Sequence, residues 1–132
     1  MYSCEVLGCM SKINPPELEE RLEDGTSPYV LDIRPRKDYQ RMHINGSHNV
    51  PVYHDLRSGD ESEFRKALSQ IPQDNPVVTV CKAGIVARKA TTLLENEGYE
   101  ATTLAGGIRR WNGYQNNSLG YRLRATLAGL LP

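Results

Sequence analysis

Short runs of apolar and β-branched residues along the chain predict three buried strands. The runs cover residues 29–33, 77–80 and 101–104, and prolines or glycines stand close to their ends. Each run is too short for a typical helix, and near-continuous apolar runs of this length are typical of strands buried on both faces of a parallel sheet. We therefore expect these three strands to lie inside the protein.

Apolar residues between and around these strands recur at helical spacing. In one such segment Phe64, Ala67 and Leu68 fall on the same helix face. The pattern predicts helices over residues 14–25, 61–70 and 85–97, one helical turn over residues 36–42, and a short helix after Gly106-Gly107 that carries Trp111 as a core residue. Asn14 is the expected N-cap of the first helix, and Gly98 stands where a C-terminal cap belongs.

The alternation of strands and helices predicts the α/β class, with a mostly parallel central sheet flanked by helices on both faces. We expect one domain over residues 11–115, an N-terminal arm over residues 1–10 and a C-terminal extension over residues 116–132. In sheets of this class, ligands bind beyond the carboxyl ends of the strands. The loop from His43 to Pro51 is long enough to bear function.

The charge and the cysteines narrow the class of protein. The 132 residues include 16 lysines and arginines and 16 aspartates and glutamates, so no global field favours nucleic acid or a membrane as a partner. The three cysteines, Cys4, Cys9 and Cys81, match no disulfide framework, which favours a reducing compartment. We expect Cys4 and Cys9 in the arm to be incidental. The chain shows no signal-peptide pattern and no apolar run of about 18 residues, so we expect a cytoplasmic protein.

Cys81 stands where the strand over residues 77–80 is followed by a glycine-containing loop and then a helix. In such a turn, the amides of the following residues and the positive end of the helix dipole favour a thiolate and any bound anion. Gly84 allows the loop to close tightly, and Lys82 adds a cation beside the sulfur. The residues alone also allow a second interpretation, in which Cys81 is a small buried apolar side chain at a strand end.

Several short motifs follow one another within residues 11–115. They are Leu31-Asp32-Ile33-Arg34 with Asp38-Tyr39, His43-Ile44-Asn45-Gly46-Ser47 with Val50-Pro51, Cys81-Lys82-Ala83-Gly84, and Gly106-Gly107 with Trp111. In their order and spacing they resemble the rhodanese family, whose active-site loop begins Cys-x-x-Gly. One such motif is weak evidence, whereas the set in the correct order is strong.

The resemblance implies a rhodanese-like sulfurtransferase that carries sulfane sulfur as a persulfide on Cys81. It implies thiosulfate or a similar donor, an acceptor that is a thiol, cyanide or a protein, and no cofactor. The expected site is the nucleophile Cys81 and a substrate-binding loop whose amides hold the persulfide, formed by Lys82, Ala83, Gly84, Ile85 and Val86. Many relatives carry an arginine in place of Val86, so we expect either weak thiosulfate binding or a charge supplied by Lys82.

The other polar residues near these motifs are predicted to be structural. Arg34 and Asp38 are four residues apart, and we expect an ion pair between them that ties the loop. His43 is expected to hydrogen-bond within its own loop. His48 and His54 follow it without the spacing of metal ligands, so no metal site is predicted.

Two other functions stay open from the sequence. Tyrosine or dual-specificity phosphatases and arsenate reductases also place a cysteine in an anion-binding loop, with an arginine six residues after it. Here that position is Ala87 and Arg88 falls one residue late, so a tetrahedral oxyanion would lack its bidentate clamp. The second alternative is a non-catalytic interaction module, which Val86 favours and Cys81 opposes.

Overall fold

A computed structural model describes residues 11–25 and 28–117 of the chain. The strands are β1 Lys12–Ile13, β2 Tyr29–Asp32, β3 His48–Asn49, β4 Val77–Val80 and β5 Ala101–Leu104. The helices are α1 Pro15–Glu23, α2 Arg36–Arg41, α3 Tyr53–Ser58, α4 Ser62–Ala67 and α5 Ala87–Asn96, with a 3₁₀ turn at Leu68–Gln70. A further helix, α6, covers residues 107–117 and so crosses the expected domain boundary at residue 115. The expected arm, with Cys4 and Cys9, and most of the expected extension lie outside the described residues.

The described strands form a five-stranded parallel sheet in the order β1-β5-β4-β2-β3. The central strand, β4, pairs with β2 on one side and β5 on the other, with Thr79 opposite both Leu31 and Thr103. Every residue of β4 is buried, as expected of a strand with both faces covered. The predicted α/β class with a mostly parallel sheet is confirmed.

Helices cover both faces of the sheet, which is also as predicted. One face packs against α3, α4 and α5 through a core that includes Leu31, Phe64 and Leu94. The other face packs against α1 and α6 through a core that includes Leu18 and Trp111, so Trp111 is a core residue as expected. Across the described residues, no helix combines the length and the apolar composition that a membrane span requires.

The predicted helix ends are mostly close to the observed ones. Asn14 is the N-cap of α1, and its backbone N–H donates to Oε1 of Glu17 at 3.0 Å, so the predicted cap is confirmed. Gly98 follows α5 with φ +91°, the left-handed conformation that glycine adopts most easily after a helix. The start of α5 differs from the prediction, because the helix begins at Ala87 and not at residue 85.

Two strands and one helix were not foreseen. The strands β1 and β3 are two residues long, too short to show any alternation of apolar and polar positions. The helix α3 lies in the segment between the predicted loop and the predicted helix over residues 61–70. That predicted helix is itself divided into α4 and the 3₁₀ turn. These short elements are stabilised by tertiary strand pairing and packing, which the local sequence pattern does not reveal.

Three buried threonines join β4, β5 and α5 beneath the cysteine loop. The Thr79 hydroxyl donates to the Ala87 carbonyl oxygen at 3.1 Å and lies 2.8 Å from the Thr91 hydroxyl. The Thr91 hydroxyl in turn lies 2.7 Å from the hydroxyl of Thr103. All three side chains are almost fully buried, and each finds hydrogen-bond partners within the cluster. The cluster thus fixes the first turn of α5 against the central strand.

Thr79→Val should lower the free energy of unfolding by about 1–3 kcal/mol, because it leaves buried hydrogen-bonding groups without a partner. Chemical denaturation of the purified protein measures this loss. Thr92 lies exposed on α5 and provides the control, since Thr92→Val should change the free energy of unfolding by at most about 0.5 kcal/mol. Equal effects of the two substitutions would contradict the stabilising role of the cluster.

Candidate active site

Cys81 lies at the carboxyl end of the central strand, at the edge of the sheet where the sequence placed a ligand site. The residue directly follows β4, and the chain then bends through residues 82–86 into α5. The carboxyl ends of β2 and β5 lie on either side, since both pair in parallel with β4. The cysteine loop is therefore held between the segments that follow three neighbouring strands.

Two backbone amides point at the sulfur of Cys81. The N–H of Gly84 donates to Sγ at 3.1 Å, and the N–H of Ala87 donates to Sγ at 3.4 Å. Ala87 is the first residue of α5, so the positive end of this helix also faces the sulfur. Such an arrangement stabilises a negative charge on the sulfur atom. The thiol itself is free and only 1% exposed.

The other residues of the predicted substrate-binding loop point in different directions. Lys82, Ala83 and Ile85 have exposed side chains, whereas Val86 is buried in the core beside Cys81. Among the described residues, Ile85 is the only large apolar side chain that is exposed, at 67%. Within the predicted substrate-binding loop, Gly84 is therefore the residue whose amide contacts the sulfur.

The start of α6 holds the backbone of the cysteine loop. The N–H of Ile108 donates to the Cys81 carbonyl oxygen at 2.9 Å, and the N–H of Arg109 donates to the Lys82 carbonyl oxygen at 3.1 Å. Because the first amides of a helix have no partner within it, the loop carbonyls satisfy these donors. A Cβ atom on Gly107 would lie 2.4 Å from the Cys81 carbonyl oxygen, so only glycine allows this close approach.

A second glycine contact fixes the other side of the loop. Gly84 has φ +85°, and a Cβ atom there would lie 2.9 Å from the backbone nitrogen of Gly106. The Gly-Gly pair that follows β5 and the glycine of the cysteine loop thus pack backbone against backbone. This contact gives a physical reason for the glycines of two motifs that are far apart in the sequence.

Arg34 pairs with Asp32, and the predicted ion pair with Asp38 is wrong. The Arg34 guanidinium donates to the Asp32 carboxylate at 2.8 Å and to the Met42 carbonyl oxygen at 2.7 Å. Both charged side chains are buried. Asp38 instead lies 3.7 Å from Arg41 on the exposed side of α2. Arg34 thus connects the end of β2 to the start of the loop that the sequence predicted to bear function.

Each of the three histidines lies against the ring of a tyrosine. The His43 ring lies 4.0 Å from the ring of Tyr39, and its Nδ1 is 2.8 Å from the Tyr39 carbonyl oxygen, so its hydrogen bond goes back to α2 and not to its own loop as expected. His48 stacks on Tyr29 at 4.2 Å, while His54 meets the ring of Tyr53 edge-on. Within residues 11–25 and 28–117, no three His, Cys, Asp or Glu side chains come together as a metal site.

Comparison with known proteins identifies the family. Residues 14–114 match the Rhodanese-like domain family. This span includes every segment around Cys81 and all strands of the sheet except β1. The chain belongs to the rhodanese family. The resemblance stated from the motifs is therefore confirmed, and the matched residues include the loop around Cys81.

Relatives of this rhodanese domain include sulfurtransferases. The chain is 30% identical over 102 residues to the probable adenylyltransferase/sulfurtransferase MoeZ of Mycobacterium tuberculosis, covering 76% of this chain and 24% of MoeZ. It is 26% identical over 110 residues to the adenylyltransferase and sulfurtransferase MOCS3-1 of Zea mays, covering 83% of this chain and 23% of that protein. The chain thus spans about a quarter of the length of these relatives.

Solved structures include a single-domain protein of similar size. The chain superposes on the human single-domain sulfurtransferase TSTD1 with a TM-score of 0.61 and 27% identity, covering 78% of this chain and 96% of TSTD1. A rhodanese-related protein from Thermoplasma volcanium has a TM-score of 0.66 at 24% identity, covering 78% of this chain and 91% of that one, and shows the same fold.

The amide of Ala87 is the contact of the Cys81 sulfur that the sequence did not reveal. The sequence predicted sulfur contacts from residues 82–86, and Ala87 lies just beyond them. A signal was present, because a helix that starts at Ala87 has its first amide free to donate to the preceding loop. The prediction that α5 starts at residue 85 concealed this signal. Ala87 is also the position of the arginine in the phosphatase pattern, and here it is a fully buried alanine.

Proposed function

We propose that this rhodanese domain is a sulfurtransferase that moves sulfane sulfur from thiosulfate or a similar donor to a thiol, cyanide or protein acceptor. The observation that carries the proposal is the pair of amide N–H groups that donate to Sγ of Cys81. Preorganised donors of this kind stabilise the thiolate that attacks the donor and the anionic persulfide that results. The sulfurtransferases among the relatives support the same chemistry.

In the first half of the reaction, the Cys81 thiolate attacks the outer sulfur of thiosulfate. A new sulfur–sulfur bond forms on Sγ, and the bond within thiosulfate breaks so that sulfite leaves with its electron pair. In the second half, the acceptor thiolate or cyanide attacks the outer sulfur of the persulfide. The bond to Sγ breaks, and Cys81 returns as a thiolate. The two halves form a ping-pong cycle that needs no further oxidant or reductant.

The proposed chemistry also bears on the compartment. A persulfide carrier needs its cysteine reduced at the start of each cycle, and thiols stay reduced in the cytoplasm. We therefore propose that the enzyme is located in the cytoplasm, where the surrounding thiols are reduced.

Mass spectrometry after incubation with thiosulfate tests the proposal. We expect the peptide that contains Cys81 to gain the mass of about one sulfur atom, and to lose it again when a thiol is added. No gain on this peptide would contradict the proposal and favour a non-catalytic module with the same fold. Turnover of an aryl phosphate that depends on Cys81 would instead favour phosphatase chemistry.

Lys82→Met should raise the KM for thiosulfate about three- to five-fold, because the loop lacks an arginine at position 86 and Lys82 directly follows the nucleophile. The rise should shrink at high ionic strength, since salt screens an exposed charge. Steady-state kinetics at low and high salt measure both effects.

The control is Lys66→Met, which removes the same charge from α4. Lys66 pairs with Glu63 on the surface of that helix and lies outside the cysteine loop. We expect this variant to keep the parent KM at both ionic strengths. An unchanged KM in Lys82→Met would show that Lys82 does not attract the donor.

A further inference from the structure

Five exposed basic side chains lie around the cysteine loop, and we call this set the basic edge. One belongs to the loop, two to the first turn of α5 and two to the first turn of α6: Lys82, Arg88, Lys89, Arg109 and Arg110. Within the described part of the chain none of them takes part in an ion pair. The carboxylates at the starts of α1 and α3, Glu17 and Asp55, form no ion pair with them either. The basic edge therefore keeps its positive charge.

The basic edge is one continuous surface because both helix starts contact the loop. The N–H of Arg88 donates to the Ile85 carbonyl oxygen at 3.3 Å, which joins the first turn of α5 to the loop. The first amides of α6 donate to loop carbonyls, as described above. Arg109 and Arg110 also share a groove with the loop residue Ala83.

The positions of these charges oppose the stability of the two helices. The first turn of α5 contains Arg88 and Lys89 and no acidic residue. Residues 107–110 at the start of α6 likewise contain two arginines and no acid. The positive end of the helix dipole disfavours cations there and favours acidic residues. Lys89 is partly compensated, since its Nζ donates to the Leu56 carbonyl oxygen at 3.2 Å, but the arginines have no such bond. A local rule broken without compensation is typical of a functional surface.

Ile85 places an apolar side chain among these charges. It is the only large apolar side chain that is exposed among the described residues, and it stands three residues after Lys82 and three before Arg88. A single exposed apolar residue is ordinary by itself. Protein interfaces, however, combine an apolar centre with a polar and charged rim, and Ile85 within the basic edge has this composition.

These features favour a protein as the partner over the other polyanions. Nucleic-acid-binding domains usually carry a clear excess of positive charge, whereas this chain has 16 basic and 16 acidic residues. A segment that lies on a membrane needs a broad apolar face, and Ile85 has no second exposed apolar side chain of its size beside it in the described residues. An acidic protein surface with an apolar contact for Ile85 matches both the charge and the apolar residue.

We propose that the basic edge and Ile85 form a docking surface for a protein partner that presents carboxylates around an apolar contact. The basic side chains pair with the carboxylates and attract the partner before contact. Ile85 is the anchor, since its burial in the complex contributes affinity that does not depend on charge. The inference goes beyond the proposed function, because it concerns binding and holds whether or not the partner exchanges sulfur with Cys81.

Three short peptides without cysteine test the surface by NMR titration of the labelled protein. All share a central Leu-Trp-Leu, which is flanked on both sides by Glu-Asp-Glu, by Gln-Asn-Gln or by Lys-Arg-Lys. We expect the acidic peptide to bind saturably and to shift the amide signals of Lys82, Ile85 and Arg88. The neutral peptide should bind about five-fold more weakly or less, and the basic peptide should not bind. Equal affinities for the acidic and the neutral peptide would overturn the inference.

Two variants separate the contribution of charge from that of the apolar anchor. Arg88→Gln/Arg109→Gln should weaken binding of the acidic peptide about five- to ten-fold, with a smaller loss at high ionic strength and no change for the neutral peptide. Ile85→Ser should weaken binding of the acidic and the neutral peptide alike, by about five-fold at either ionic strength. Unchanged affinity for the acidic peptide in either variant would overturn the inference.

Arg65→Gln/Lys66→Gln is the matched control for the loss of two charges. Both residues lie on α4, where each pairs with a glutamate on the surface, and their loss should leave the affinity for every peptide unchanged. A loss equal to that of Arg88→Gln/Arg109→Gln would show a general effect of net charge and overturn the inference. Titration with phosphatidylserine vesicles and with oligouridylate covers the other anionic partners. Tighter binding of either one than of the acidic peptide would overturn the inference in favour of a membrane or an RNA.

Discussion

Cys81→Ser should abolish sulfur uptake from thiosulfate and leave the fold intact. The serine hydroxyl is almost isosteric with the thiol and can accept the same hydrogen bonds from Gly84 and Ala87. A hydroxyl is however not ionised near neutral pH and forms no persulfide, so the nucleophile is lost. After incubation with thiosulfate, we expect no mass gain on the peptide that contains residue 81 and no sulfur transfer to cyanide or a thiol.

The free energy of unfolding of the serine variant, measured by chemical denaturation, should lie within about 1 kcal/mol of the parent value, since one small polar atom replaces another in the same contacts. Serine variants at Cys4 and Cys9 serve as controls and should keep most of the transfer activity. Sulfur transfer by Cys81→Ser at a rate near that of the parent would show that another residue carries the sulfur.

The three longer strands could be predicted because their signal is local. Residues 29–33 and 77–80 are apolar throughout most of their length, and the observed strands β2 and β4 fall within them. Pro28 and Pro35 stand on either side of the first run, and Pro76 precedes the second. The strands β1 and β3 have no such signal. Each consists of two residues that pair with a longer neighbour, β5 and β2 respectively. Their formation therefore depends on a sheet that already exists.

The wrong ion-pair prediction for Arg34 has a definite physical cause. A spacing of four residues places two side chains side by side only within a helix, and α2 begins after Arg34, at Arg36. Arg34 instead lies in a bend just after β2, where its backbone N–H donates to Oδ1 of Asp32 at 2.9 Å. The guanidinium folds back onto the same carboxylate.

The candidate site was predictable in part, because some of its residues are close together in the sequence. Cys81 and Gly84 belong to one local motif, so the sequence placed them together. The contacts of Gly84 with Gly106 and of Gly107 with Cys81 join segments that are separated in the sequence by α5 and β5. Sequence reasoning identified these glycines as a motif and a turn, and the structure adds that they pack against the cysteine loop.

Gly107→Ala should disrupt the cysteine loop and sharply lower sulfur uptake. Gly107 has φ +62°, and an added Cβ would lie 2.4 Å from the Cys81 carbonyl oxygen and 2.6 Å from the carbonyl carbon of Lys82. These are backbone atoms that cannot turn aside, so the loop or the start of α6 must shift. A shift breaks the hydrogen bonds of Ile108 and Arg109 to the loop. We expect the free energy of unfolding to fall by about 3 kcal/mol, from the left-handed conformation and the overlap together.

Gly98→Ala separates the cost of the backbone conformation from the cost of the overlap. Gly98 has φ +91° after α5, and an added Cβ would meet nothing within 4 Å. This variant should lose only about 1 kcal/mol of unfolding free energy and load sulfur on Cys81 at the parent rate. Gly107→Ala should lose more stability and load sulfur at least about ten-fold more slowly, because a 1 Å displacement of reacting groups has an effect of that size or more. If the two variants behaved alike in denaturation and in loading, then close packing of α6 against the Cys81 backbone would not be what positions the sulfur.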